Sequence, residues 1–418
     1  MSCRILGIAL MACITLGLSA CGGGAGCDTK TVAPGPSGGP SISVGGSGGS
    51  CGTNSGSGGG PNGGPGQVTL GAPIDTVFFV KTAVNPTISA AGVDGAKNFL
   101  PLPSFVPTSL AQDDHPGMEI VNETFLYLAG ADIGEILGFS IDSTSGNLTP
   151  IAGSPFPTAV NAMTVDATGR FLYIGDGSNT TIVGFHINST NGSLTPIPGS
   201  PFPTLGMRFV NALTTDGLGK LLYVTEGVGG SNMNAFFINA SNGALTPVAG
   251  NPVSVPVSFL KSEPTGKFLV GIDAKVGTSG IPSNPNIYVF AINQSTGAIA
   301  QAPLSPFTSS LPPIRIFVHP NGRFIYTTDD NVGGGLGPMQ GFTLDSAGKV
   351  TPMSGSPFSG LERVSQCDSD HISGAELFCS DGSTFFAYDV DLNTGNLSRT
   401  AAPFVSGQNL PFAVAAPR

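Results

Sequence analysis

From residue 67 onward, short apolar runs alternate with clusters of Gly, Pro, Asn and Asp. One stretch shows the pattern clearly. Residues 160–165 form an apolar run, a turn carries Gly169, residues 171–175 form a second run, and residues 181–187 alternate. Asn191-Gly192 then turns the chain into residues 194–197. Runs of this length bounded by turn residues predict four successive antiparallel strands.

The pattern recurs. Asp166-Ala167-Thr168-Gly169-Arg170-Phe171-Leu172-Tyr173 is matched by Asp216-Gly217-Leu218-Gly219-Lys220-Leu221-Leu222-Tyr223, by His319-Pro320-Asn321-Gly322-Arg323-Phe324-Ile325-Tyr326, and by Pro264-Thr265-Gly266-Lys267-Phe268-Leu269-Val270. With weaker copies ending at Phe79, Tyr127 and Cys379, the anchors are 46 to 56 residues apart. Near-regular spacing of this size, built from four short strands, predicts an all-β, seven-bladed β-propeller with four-stranded blades. The first copy begins at Thr76 without the Gly-turn strand that precedes the others. Leu410-Pro411-Phe412-Ala413-Val414-Ala415 supplies a matching strand, so the C-terminal strand is expected to join blade 1 and close the ring. Residues 81–115 lack the usual second half of a blade.

Composition sharpens this picture. The 62 Gly and 35 Pro make up about 23% of 418 residues, against roughly 12% in average usage. Only 10% of residues are charged, too few to supply the faces of long amphipathic helices, so a helical bundle is excluded. A net charge of −10 with 16 basic residues argues against a nucleic-acid binder.

The N-terminus gives an address. Met1 to Arg4 is a positive stretch, and residues 5–18 are apolar. Fourteen residues fall short of the roughly 20 needed to span a bilayer, so 1–20 reads as a signal peptide. Leu18-Ser19-Ala20-Cys21 resembles the lipobox of bacterial lipoproteins. That resemblance implies cleavage before Cys21, acylation of Cys21, and a stable hold on the lipid bilayer. Residues 21–66 are Gly/Ser/Pro-rich and read as a flexible tether, leaving 67–418 as the propeller. Gly45-Gly46-Ser47-Gly48-Gly49 within the tether matches a hydrolase pattern by accident, lacking the strand and helix that motif requires.

The Gly-Arg/Lys-Phe-Leu-Tyr copies, followed by Gly-x-Leu-Thr-Pro and Gly-Ser-Pro-Phe, resemble the bacterial seven-bladed lactonase family, relatives of the 6-phosphogluconolactonase-like propellers. The resemblance implies the fold over about residues 75–416 and carboxylic ester hydrolysis of a lactone. The family's Gly-Pro-Arg-His segment corresponds here to Pro312-Pro313-Ile314-Arg315, so its His position holds Arg315, and its Asn-Glu pair becomes Asp329-Asp330. The next blade offers Glu362-Arg363. Catalytic candidates are therefore Glu362 as general base, with Arg315 and Arg363 in one column as anion holders. The alternative is a structural Arg–Glu network. Asn161, Asn211, Asp329 and Asp330 are candidate ligand-binding residues.

Asp176, Glu226, Asp273 and Asp329 lie three residues after an anchor. They suit either a hard cation such as Ca²⁺ or backbone N–H groups in turns. No His pair has metal-ligand spacing, so no cofactor and no metal centre is expected. Cys367 and Cys379 flank the first hairpin of blade 7 and are a candidate disulfide for an exported protein; Cys27 and Cys51 are a second candidate pair. Two functions follow: a tethered extracytoplasmic module binding a protein, peptide or glycan, and an envelope lactonase. Replacing Cys21 with Ser is expected to move the protein from the membrane to the soluble fraction on ultracentrifugation. Retention in the membrane fraction would refute the lipid anchor.

Overall fold

The computed structural model describes residues 75–415 apart from 82–86, 95–97, 108–116, 131–133, 177–179, 227–231, 275–283, 332–334, 401 and 406–408. Cys21, the tether, Cys27, Cys51 and His115 lie outside the described residues. The described chain contains strands and turns and no helix, arranged as seven small antiparallel sheets. Inner strands of successive blades touch in sequence around a ring, and the strand Gln366–Ser369 of the last blade meets Asn409–Ala415. The fold is a seven-bladed propeller.

Closure follows the expected route. Asn409–Ala415 pairs antiparallel with Asp75–Lys81, placing Ala413 opposite Phe78. Blade 1 is more complete than its sequence suggests, because Thr87–Val93 and Phe99–Pro107 form its third and outer strands. Its proline content masked the outer strand, where Pro is tolerated because that edge needs no ladder bond.

Six blades also carry a fifth, two-residue strand. In blade 3 the outer strand Leu194–Pro196 covers only the end of Thr181–Ile187, and Phe202–Pro203 pairs with its start. The Ser of each Gly-Ser-Pro-Phe crossing fills the gap between: Ser200 Oγ accepts the Gly184 N–H at 2.9 Å and Ser154 Oγ the Gly138 N–H at 2.9 Å. Thus the motif satisfies a backbone donor that a three-residue outer strand leaves open.

A blade buries its faces only against its neighbours. Each of the seven apolar clusters mixes residues of two adjacent blades. Phe125 and Tyr127 of blade 2 pack with Met163 and Leu172 of blade 3, and Phe378 and Phe385 of blade 7 pack with Val77 and Phe79 of blade 1. The anchor tyrosines add a directional hydrogen bond across the same interfaces. Tyr127 donates to the Gly192 carbonyl at 2.5 Å, Tyr173 to Gly243 at 2.8 Å, Tyr223 to Gly297 at 3.3 Å and Tyr326 to Gly395 at 2.7 Å. Each acceptor belongs to the hairpin turn between third and outer strands of the next blade. Gly192 has φ +71°, and a Cβ there would stand 2.5 Å from Ile151 and 2.7 Å from Phe125. Glycine is therefore required twice over, by backbone and by packing.

Blade 7 corrects one register. Phe378, not Cys379, occupies the anchor position, because the Val390 N–H donates to Ala375 as Ile187 does to Arg170. Cys379 lies opposite Cys367 and is joined to it by a disulfide. Gly192→Ala is expected to lower stability by about 1–3 kcal/mol, and Tyr173→Phe by about 1 kcal/mol through the abandoned Gly243 carbonyl, both read by thermal melting. Unchanged midpoints in both variants would refute the interblade clasp.

Candidate functional site

In each blade one inner-strand position lies directly across from the anchor. That position is Thr164 and Thr214 in blades 3 and 4, Glu119 in blade 2, Lys261 in blade 5, Phe317 in blade 6 and Asp368 in blade 7. Where the inner strands converge, a cavity of about 640 Å³ opens, with Glu119, Lys261, Phe317 and Asp368 in its wall. His371, from the turn after Gln366–Ser369, completes the charged part of the lining.

Burial sets the electrostatics. Loss of water around Glu119 pushes its pKa up to about 7, with Asp368 pushing the same way and Lys261 and His371 opposing. His371 Nε2 lies 3.4 Å from Asp368 Oδ1. That carboxylate, seconded by Glu123 and Glu119, raises the imidazole to about 9 against the opposing effect of burial. Near pH 7 the cavity therefore holds a cationic His371, Lys261 and a Glu119 poised to exchange a proton. A base poised at working pH beside fixed positive charge is suited to water activation with oxyanion stabilisation.

Comparison with solved structures finds the same architecture repeatedly. The chain superposes on a provisionally assigned 6-phosphogluconolactonase from Bacteroides uniformis (TM-score 0.63, 14% identity, 82% of this chain and 99% of that one). It superposes comparably on the Pseudomonas aeruginosa periplasmic gluconolactonase PpgL (TM-score 0.60, 14% identity, 82% and 99% covered). The chain shares their fold. No protein-family model matches the sequence, and no curated protein matches it.

The residues singled out from sequence fall in several places. Arg315 lies on the inner strand Pro313–Val318 opposite Thr328, in the column of Ala162, Ala212 and Phe259. Arg363 does not share that column. Blade 7 places Gln366 there, opposite Ser380, so Arg363 precedes the strand by three residues. The slip follows from the anchor correction in this blade and the longer approach to its inner strand. Glu362 is paired with Arg399 of the outer strand and accepts the Tyr388 hydroxyl at 3.0 Å. It also leaves the column of Asn161 and Asn211, where the backbone register puts Ser365. The three catalytic candidates therefore do not form one cluster.

Asn161 and Asn211 act between blades: Asn161 Nδ2 donates to the Val210 carbonyl, and Asn211 Nδ2 to the Ser258 carbonyl at 2.9 Å. Three rim acids are buried. Glu226 accepts the Arg208 N–H at 2.9 Å and the Asn232 amide at 3.0 Å, and Asp273 accepts the Asn284 amide at 3.3 Å. The side chains of Asp329 and Asp330 lie outside the described residues. Among the described residues no three His, Cys, Asp or Glu side chains converge in a metal-binding arrangement. His319 is a buried structural residue. Its Nε2 donates to the Gly374 carbonyl of blade 7 at 2.6 Å while Nδ1 accepts the Asn321 N–H at 3.2 Å. Burial holds its pKa below the ordinary value.

Sequence reasoning passed over Glu119, Lys261 and Asp368 because it followed the repeated positions. The available signal was a departure from repetition: charged residues in a column where two other blades carry Thr. NMR titration of imidazole resonances should find His371 near pH 9. Asp368→Asn, by removing the charge that favours the imidazolium, should lower that value toward the ordinary 6.5 or so. An unshifted His371 in both forms would mean the pair does not exist in solution.

Proposed function

We propose that this protein is a lactone hydrolase of the cell envelope working in the central cavity. The observation that carries this reading is the meeting of Glu119, poised near neutrality, with Lys261 and the Asp368–His371 pair. Ionised Glu119 takes a proton from water as the oxygen adds to the lactone carbonyl carbon. Lys261 and the His371 imidazolium offset the charge that develops on the carbonyl oxygen. Collapse breaks the acyl–oxygen bond, His371 protonates the departing ring oxygen, and the product is a hydroxy acid. Asp368 keeps His371 charged and oriented. Glu119 then returns its proton to solvent, and His371 regains one.

Two features support a location outside the cytoplasm: the signal-like residues 1–20 that precede Cys21, and the periplasmic setting of the Pseudomonas aeruginosa protein with the same fold. In this reading acylated Cys21 and residues 22–66 hold the propeller near a membrane. Binding alone needs no carboxyl poised near pH 7, so Glu119 favours hydrolysis over a pure binding module.

On a panel of sugar and aliphatic lactones, kcat/KM should rise as pH passes about 7, where Glu119 ionises, and fall above about 9, where His371 loses its proton. Glu119→Gln should reduce kcat by about 10²–10⁴ while the protein melts normally. Absence of turnover on every lactone, with ligand still retained, would return the protein to the binding-module reading.

A further inference from the structure

A smaller cavity of about 220 Å³ adjoins the first, sharing Lys261, Phe317 and Cys367 with it and adding Arg315, Thr328 and Gln366. Among the inner strands of blades 2 to 7, only Pro313–Val318 breaks register with its partner, between Pro313 and Arg315. An extra residue at such a place re-aims the side chain that follows it, and the chain that follows here is Arg315.

Among the described residues Arg315 has no anionic counterpart. Its guanidinium lies over the Phe259 ring at 5.2 Å from the centroid, and Nη1 donates to the Ile314 carbonyl at 3.3 Å. Among the described residues no carboxylate is within ion-pairing distance of it. The side chain is exposed to the cavity, while the protein beside it holds its pKa below the ordinary arginine value. Arg315 and Lys261 thus present two exposed cations on one cavity wall, with no ion pair to either among the described residues.

We propose that this cavity is an anion subsite for an organic carboxylate with a flat apolar body. A carboxylate matches the planar fork of Arg315 bidentately, with Lys261 as a second charge and the Gln366 amide as a neutral donor. The body lies against Phe317, Ile316 and Tyr326, which form the remaining wall. Inorganic phosphate would satisfy the charge and leave those walls uncovered. The subsite does not depend on the hydrolase reading. If both hold, the preferred lactone carries a carboxylate arm.

The probe is benzoate, titrated calorimetrically into the purified full chain with no lactone present. Benzoate should bind, while benzamide and inorganic phosphate should bind at least about tenfold more weakly. Arg315→Gln should weaken benzoate by a similar factor, the worth of one lost charged hydrogen-bonded pair. A second readout uses the unaltered protein: benzoate should shift the Arg315 Nε–H resonance, so a poorly folding variant cannot obscure the result. Equal binding of benzamide or phosphate, undiminished binding by a folded Arg315→Gln, or an unmoved Arg315 resonance would overturn the proposal. Lactone turnover is measured separately, so failure here leaves that reading standing, and failure there leaves this one.

Discussion

A blade of this protein cannot hide its own apolar faces. Every cluster that excludes water is built from two adjacent blades, so each sheet depends on both neighbours and the ring depends on meeting itself. The pairing of Asn409–Ala415 with Asp75–Lys81 is therefore the constraint behind the rest. It joins segments more than 300 residues apart in the chain, and it gives the first and last blades the partners that interior blades acquire from chain order. Such long-range pairing carries a substantial loop-closure entropy, which the seven interblade cores offset collectively.

Closure also creates the site. Each inner strand pairs on one side only, leaving its other edge toward the centre. Residues far apart in sequence, at Glu119, Lys261 and Asp368, then line one cavity. The pKa of Glu119 is raised because the ring encloses it, and that of His371 because the Asp368 carboxylate lies beside it.

The architecture was legible because its signals repeat. The Tyr anchors, the Gly-bearing hairpin turns and the Gly-Ser-Pro-Phe crossings each perform one physical task in several blades, so the copies reinforce one another. Where a blade lacks the consensus, the reading slipped. Blade 7 has Phe378 in place of the tyrosine and a cysteine beside it, which displaced the anchor by one residue, and its longer approach to the inner strand left Glu362 and Arg363 three positions short of their columns. Blade 1 hid two strands behind Pro101, Pro103 and Pro107. The site was less legible for the opposite reason. A functional centre in a propeller breaks the repeat, and one sequence cannot separate a purposeful departure from drift. Asn161 and Asn211 recur between blades 3 and 4, and their recurrence marks them as fasteners.

The tyrosine ties run one way around the disc and are not continuous. They link blades 2 to 3, 3 to 4, 4 to 5 and 6 to 7. In blade 5 the equivalent residue is Val270, which has no hydroxyl to offer blade 6. Across that seam the cation–π contact of Arg315 with Phe259 sits beside the smaller cavity. The seam between blades 5 and 6, like those on either side of blade 1, therefore parts without breaking a hydroxyl bond of this kind. A polar guest arriving between blades 5 and 6 would meet a joint that yields without unlacing the tyrosine ties.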